Sequence, residues 1–348
     1  MDNRERIELL KANQGLSRDG LLKLISTYGE SDRVYAAELA RETAVSVYGR
    51  KIFFRGLIEL TNYCRNNCLY CGIRRDNREA VRYRLTEDEI MDCCEYGYEI
   101  GFRTFVLQGG EDMYFTDERL VKIIRDIKSN FSDCAITLSL GEKERESYQK
   151  LFNAGADRYL LRHETANEEH YGKLHPSELS FKHRMKCLDD LRNIGYQTGC
   201  GMMVGSPYQT KENLVEDLMY MKKFQPQMIG IGPFIPHKDT PFRGHTAGSA
   251  EETLFLLSVI RLMMPNVLLP ATTALGTVRG DGREQGILAG ANVIMPNISP
   301  KDMRKNYLLY DNKIGTKDDA SESARRIAEC VKNIGYEVVV DRGDYKIC

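Results

Sequence analysis

From residue 53 to the 290s the chain repeats one phrase: a short apolar run, a polar loop, an amphipathic stretch, then another apolar run. The apolar runs fall at 53–60, 104–108, 135–140, 158–163, 197–204, 228–232, 267–271 and 292–295. Helical periodicity fills segments between them, at 87–100, 118–127, 181–194, 211–223 and 251–263. Strands that alternate with helices pair in parallel, because each helix carries the chain back to the edge where the next strand starts. Eight such units predict an α/β fold, a complete (β/α)8 TIM-type barrel, and 348 residues suit one as a single unit. A six-strand partial barrel is the alternative, since the last two runs are short and flanked by glycine-rich loops. Thr86 ahead of Glu87 and Glu89, and Thr210 ahead of Glu212, are helix-start signals that support the rhythm.

The flanks read differently. Residues 4–46 form short amphipathic helices broken at 13–15 and 28–30, with Ser17 and Ser31 as N-caps. After Pro300 come a helix near 321–333 and a last strand at 337–340. We therefore expect an N-terminal helical cap at 1–50, the barrel at 51–310 and a C-terminal helix-strand extension at 311–348. Lys and Arg total 49 against 50 Asp and Glu, a balance that gives no footprint for nucleic acid. The charged start and the lack of an apolar run long enough for a bilayer predict a soluble cytoplasmic protein with no membrane partner. In such a chain ten cysteines mean metal or buried thiols rather than disulfides.

In a parallel barrel the reacting groups sit at the C-terminal ends of the strands. The first strand ends in Cys64-Arg65-Asn66-Asn67-Cys68-Leu69-Tyr70-Cys71, a C-x3-C-x2-C triplet. Three thiolates are one short of a closed zinc site or a four-cysteine iron–sulfur site. An iron left without a protein ligand can be chelated by a small molecule, and the spacing, with aromatic Tyr70 before the last cysteine, resembles the radical S-adenosylmethionine (SAM) signature. A zinc loop borrowing a distant ligand is the competing reading.

The other strand ends add polar groups. Gln108 leads into Gly109, Gly110 and Glu111, where bare backbone can approach the methionine end of the cofactor, or simply turn. Thr137, Ser139 and Gly141 end the third strand. Arg162 and Glu164 alternate on the fourth and share a face. Glu164 is placed for ribose hydroxyls and Arg162 for a carboxylate or another anion, with an internal ion pair the plainer alternative. Gly199, Gly201 and Met203 suit a flat adenine, and Ile231 lines its other side. His237 is an acid or base candidate, or structural. Thr272, Thr273 and Thr277 can contact substrate or satisfy local backbone, and Arg304 and Tyr307 can close the pocket.

Longer strings then match in order: RYRLT at 82–86, LQGGED at 107–112, TLSLG at 137–141, RYLLRHET at 158–165, IGPFIPH at 231–237, PATTA at 270–274 and GANVIMPN at 290–297. Over 53–310 the chain resembles the [FeFe]-hydrogenase maturase HydE family, in the biotin synthase and methylornithine synthase group. The resemblance implies a [4Fe–4S] cluster on Cys64, Cys68 and Cys71, with SAM on the fourth iron. It implies assembly of the dithiomethylamine-bridged diiron centre of [FeFe]-hydrogenase, from a cysteine-bound Fe(CO)2(CN) complex made by HydG. HydF and a flavodoxin or ferredoxin electron donor are the other implied partners. By the same resemblance Gln108, Thr137, Arg162 and Tyr307 form an anion-binding ring, and Ser139, Glu164, Arg184 and Met203 touch the cofactor. Only Cys330 and Cys348 follow the barrel, so a second cluster is not expected. Only Cys134 and Cys200 lie in strand regions, which argues against sulfur insertion as in biotin synthase. A methylornithine synthase-like lysine mutase and a non-catalytic iron–sulfur scaffold are the alternatives.

Overall fold

The structure is a computed structural model and describes residues 1–316 and 319–347. Three helices open it: α1 (Asn3–Asn13), α2 (Arg18–Thr27) and α3 (Glu30–Tyr48). Ser17 caps α2, its hydroxyl accepting from Gly20 N at 3.1 Å. Ser31 lies inside α3 instead of capping it. Gly29 holds the cap position and donates its N–H to the Asp32 carboxylate at 2.9 Å, and no side chain at the cap accepts from the first turn.

The first expected strand is two: β1 (Lys51–Phe54) and β2 (Gly56–Thr61), broken at Arg55 because each half finds different partners. Next come α4 (Glu87–Glu99), β3 (Thr104–Gly109), α5 (Asp117–Asn130), β4 (Ala135–Ser139), α6 (Arg145–Ala154) and β5 (Arg158–Leu160). They lead to α7 (Glu168–Leu174), α8 (Phe181–Ile194), β6 (Gln197–Cys200), β7 (Met203–Val204), α9 (Lys211–Phe224), β8 (Met228–Ile229) and β9 (Gly232–Pro233). The chain then forms α10 (Ala250–Met263), α11 (Thr273–Val278), α12 (Gly282–Leu288), β10 (Val293–Ile294), α13 (Lys301–Arg304), α14 (Ala320–Asn333) and β11 (Glu337–Val339).

Six strands form one parallel sheet in the order β2-β3-β4-β5-β6-β8, each joined to the next by a crossover that carries a helix. All six residues of β2 are buried, as a parallel strand covered on both faces requires. The expected closed eight-strand ladder is seen only in part. Runs 267–271 and 292–295 contribute the short β10 and isolated bridges, Met228 with Leu268, Pro270 with Val293 and Leu57 with Asn297, and the six-stranded sheet itself does not close. Pro270 has no N–H to donate, and Leu269 N donates to the side-chain Oδ1 of Asn292 at 2.9 Å, so a side chain stands in for a ladder rung there. The expected strand at 197–204 also breaks. A Cβ on Gly201 would lie 2.0 Å from Gly230 O, and past that close approach β7 pairs with β9 as a separate two-stranded piece.

The C-terminal segment closes the end of the sheet where the strands begin. β11 adds to β1 in parallel, and beyond it Asp344 meets the fully buried guanidinium of Arg158 at 2.6 Å, while Arg342 O accepts from Thr104 Oγ1 at 2.8 Å. Thr104 and Arg158 are the first residues of β3 and β5. With that end filled, the opposite end, where the strands finish, is left for a site. Outside the sheet α3 and α1 pack on α10, and α2 on α9. Among the described residues no helix is long and apolar enough to cross a membrane.

Candidate active site

The strand ends and the loops after them enclose a cavity of about 300 Å³. Its wall carries Cys64, Cys68 and Cys71 together with Tyr70, Gln108, Gly109, Gly110, Glu111, Ser139, Arg162, Glu164, Arg184, Met203, Thr272 and Tyr307. A larger cavity of about 870 Å³ lies outside the sheet, between α12, α14 and the 305–316 loop, and has Cys330 on its wall. It brings together none of these strand ends, so size does not decide where the chemistry is.

The cysteine loop has no regular structure, so its shape must come from bonds to neighbours. Arg65 N donates to Glu111 O at 2.9 Å, Leu69 N to Leu174 O at 3.0 Å and Gly72 N to Leu309 O at 2.8 Å. Arg82 does most of the remaining work. Its guanidinium donates to the carbonyls of Asn62, Ile73, Arg74 and Asn77, the last three at 2.8, 2.6 and 3.0 Å, and so ties both ends of the loop to one planar group. Gly72 is forced to be glycine, since a Cβ there would lie 2.2 Å from Leu308 O. Burial pushes the Cys71 thiol up to about 12 and raises Cys64 and Cys68 as well. A bound metal reverses that, because it binds thiolate. Among the described residues no three His, Cys, Asp or Glu side chains converge on a point as ligands of one metal ion do.

Opposite the loop, Gly109 and Gly110 bring backbone close. A Cβ on Gly110 would sit 2.1 Å from Tyr63 O. The carboxylate of Glu111 is already engaged, with Arg65 Nε at 3.0 Å and Glu142 N at 2.9 Å. Arg184 is a strut as well as a wall: Nε bonds Glu142 Oε1 at 2.5 Å and Nη1 donates to Arg162 O at 2.7 Å.

Arg162 Nη2 and Glu164 Oε2 are 2.9 Å apart. The contact is an ion pair without hydrogen-bond alignment, so Arg162 Nε, Arg162 Nη2 and Glu164 Oε2 are all buried with no hydrogen-bond partner. Glu164 also adopts φ 64°, a left-handed conformation that costs a non-glycine residue on the order of 1–3 kcal/mol. Strain and unspent donors at one spot are the marks of a ligand site.

Residues 58–221 match the family model of the radical SAM superfamily. Over 314 residues the chain is 44% identical to the [FeFe] hydrogenase maturase subunit HydE of Thermotoga maritima, covering 90% of this chain and 89% of that one. The chain belongs to the HydE family of radical SAM enzymes. It is also 30% identical over 310 residues to the 3-methylornithine synthase of Methanosarcina barkeri, covering 88% of this chain and 86% of the relative. A crystal structure of methylornithine synthase superposes with a TM-score of 0.85 at 26% identity, over 96% of this chain and 97% of that one. Membership of this superfamily implies a [4Fe–4S] cluster and SAM.

Within that HydE-family frame several predicted site residues fall elsewhere. Thr137 lies below the main cavity, on a small void that it shares with Arg55, and its hydroxyl has no partner. Ile231 is 1% exposed in the core, just where the chain breaks between β8 and β9, and Gly232 to Ile235 line the cavity in its place. Thr273 starts α11 off the cavity wall, while Thr272 lines the wall but spends its hydroxyl accepting from Leu275 N at 3.3 Å. Arg304 is 4% exposed, with Nε donating to Ser299 O at 2.6 Å, and is not on the wall. His237 packs beneath Gly72 rather than facing the cavity. Gln108 and Tyr307 do meet, Nε2 to Oη at 3.3 Å. Sequence reasoning gave no role to Arg82, though RYRLT was among the matching strings, nor to Tyr310 on the wall.

Proposed function

We propose that this protein reductively cleaves SAM and, as a HydE-type maturase, acts on a cysteine-bound Fe(CO)2(CN) complex during assembly of the dithiomethylamine-bridged diiron centre of [FeFe]-hydrogenase. The observation that carries the reading is the sharing of one cavity by three free thiols and the unsatisfied Arg162–Glu164 pair. The donor set fits the implied group: three cysteines for three irons, with no fourth cysteine on the wall among the described residues. When bound, cluster and SAM supply an electron-driven C–S cleavage that yields methionine and a 5′-deoxyadenosyl radical.

The chain's own residues bind and orient. Cys64, Cys68 and Cys71 hold the cluster, and Arg82 fixes the loop that presents them. Gly109 and Gly110 offer carbonyls to an amino group, and Glu164 accepts from ribose hydroxyls. Tyr70, Met203 and Phe234 give an apolar wall for a nucleoside and keep water from it. Arg162, with Gln108 and Tyr307 beyond it, faces the anionic end of the substrate, and Thr137 below can receive a small ligand that reaches the void. The bridges past β8 complete a barrel of eight staves around this cavity in the proposed reading.

HydG as supplier of the complex, HydF as acceptor and a flavodoxin or ferredoxin as reductant are the proposed partners, in the cytoplasm. A lysine mutase needs free carboxylates for substrate ammonium groups. Of the two carboxylates on this wall among the described residues, Glu111 is held by Arg65 and Glu142 N and Glu164 is assigned to the ribose, which leaves none for the ammonium group and favours the maturase. Anaerobically reconstituted protein given SAM and a strong reductant should release 5′-deoxyadenosine and methionine, and release them faster with the iron–cysteine complex. No 5′-deoxyadenosine from a protein with full iron content would reduce the chain to a scaffold.

A further inference from the structure

The cysteine loop leans on one short segment of the rest of the protein through two bonds. Leu69 N donates to Leu174 O, and Tyr70 Oη meets His175 Nε2 at 3.2 Å. Both partners are at the end of α7. His175 is 3% exposed and lies nearly flat on the Tyr171 ring, with centroids 3.9 Å apart and planes 21° apart. Its Nδ1 is 3.0 Å from Tyr171 O. A carbonyl only accepts, so Nδ1 carries the proton and Nε2 presents a lone pair. Burial, with Arg184 nearby, lowers the imidazole to about 3, in keeping with a neutral ring.

The phenol of Tyr70 is then the donor, and its hydroxyl has one fixed direction. The two rings meet edge-on, at 5.5 Å and 88°, while the rest of Tyr70 packs with Met203 and Phe234 on the cavity wall. Tyr70 lies between the cysteines at 68 and 71, so the bond that fixes its ring also fixes the aromatic wall beside the cluster.

We infer that His175 is a positioning residue for the cofactor: it holds Tyr70 in the one orientation that presents its ring to the nucleoside of SAM. The inference rests on the reading of the cavity as a SAM site. His175 touches neither cofactor nor substrate and acts only through Tyr70.

The test compares His175→Leu, His175→Gln, Tyr70→Phe and the double variant Tyr70→Phe/His175→Leu, all reconstituted anaerobically. Iron and sulfide content, SAM affinity and the change SAM makes in the electron paramagnetic resonance spectrum of the reduced cluster are read on each. His175→Leu should keep its iron and lose about tenfold in SAM affinity, the scale of one hydrogen bond. His175→Gln, which restores an acceptor near Nε2, should recover most of that. Tyr70→Phe should lose as much, and His175→Leu should add nothing on top of it. Undiminished affinity in His175→Leu, additive losses in the double variant, or iron lost in step with affinity would each overturn the inference. If the wild-type spectrum does not respond to SAM, the reading of the site falls and takes this inference with it.

Discussion

The ammonium of Lys313 lies 2.5 Å from the Glu59 carboxylate, and the two side chains are 8% and 1% exposed. Glu59 stands on β2, its other oxygen accepting from Asn297 Nδ2 at 2.7 Å, and Lys313 Nζ also donates to Tyr307 O at 2.8 Å. One buried pair thus ties the first strand of the sheet to the segment that carries Tyr307 onto the cavity wall. Lys313→Met should cost about 3–5 kcal/mol in urea unfolding, because a buried carboxylate is left without its partner. Glu59→Gln/Lys313→Met should recover most of that loss. A single variant as stable as the wild type would mean that the pair adds nothing to the fold.

The cysteines separate by position. Cys64→Ala, Cys68→Ala and Cys71→Ala should each abolish the cluster, read as iron and acid-labile sulfide per chain. Cys330→Ser with Cys348→Ser should leave both unchanged. Cys330 lies on the outer cavity, α14 away from the loop, and Cys348 lies outside the described residues. Half the iron lost from the tail variant would reject a single cluster.

Much of this was legible in the residues, and the exceptions share a cause. Patterns of period two and three to four run along the chain, so the six-strand sheet, most of its helices and the cysteine loop at a strand end could be read directly. Contacts between distant segments leave no such period. Arg82 earns its role from four carbonyls, one of them twenty residues back, and His175 from a phenol over a hundred residues away. Ile231 is expected on the adenine side as part of one run over 228–232, but β8 ends at Ile229 and Ile231 is buried in the core. Arg304 sits in a one-turn helix, too short for any face to be inferred from sequence.

Arg162 and Glu164 face each other, yet the proposed reading gives them separate tasks. Arg162→Ala should weaken binding of the iron–cysteine substrate about tenfold or more, the scale of a charged hydrogen bond, and change SAM affinity much less. Glu164→Gln should do the reverse, since a ribose loses a charged acceptor. Equilibrium binding of each ligand to each variant decides it. Equal loss of both ligands in both variants would leave only an ion pair that supports the fold.

Gly72 and Gly110 hold the loop by what they lack. Gly72→Ala would place a Cβ 2.2 Å from Leu308 O and 2.4 Å from His237 Cδ2, and Gly110→Ala one 2.1 Å from Tyr63 O and 2.8 Å from Cys64 Cβ. Backbone cannot swing away as a long side chain can, so each change should shift the cysteines and lower reconstituted iron. Gly244→Ala, with nothing within 4 Å, should leave iron and stability unchanged. Normal cluster content in both loop variants would show that the loop has room to move.

The His175 imidazole gives a pH signature of its own. In the unfolded chain it takes up a proton near 6.5, and in the folded protein burial delays that to about 3. Between those values the unfolded state binds more protons, so this group's contribution is whole above pH 6.5 and declines as pH falls below it. The decline is about 1.4 kcal/mol per pH unit. His175→Gln removes the titration, while His170 and the other acid-side groups remain and cancel in the difference. Urea unfolding from pH 7.5 to 5.5 should show two parallel profiles above about 6.5, then the variant gaining on the wild type by about 1.4 kcal/mol at pH 5.5. Profiles that stay parallel throughout would mean that the folded imidazole protonates as freely as the unfolded one. Below about pH 6.5 its Nε2 would then carry a proton, and the Tyr70 phenol would lose its acceptor there.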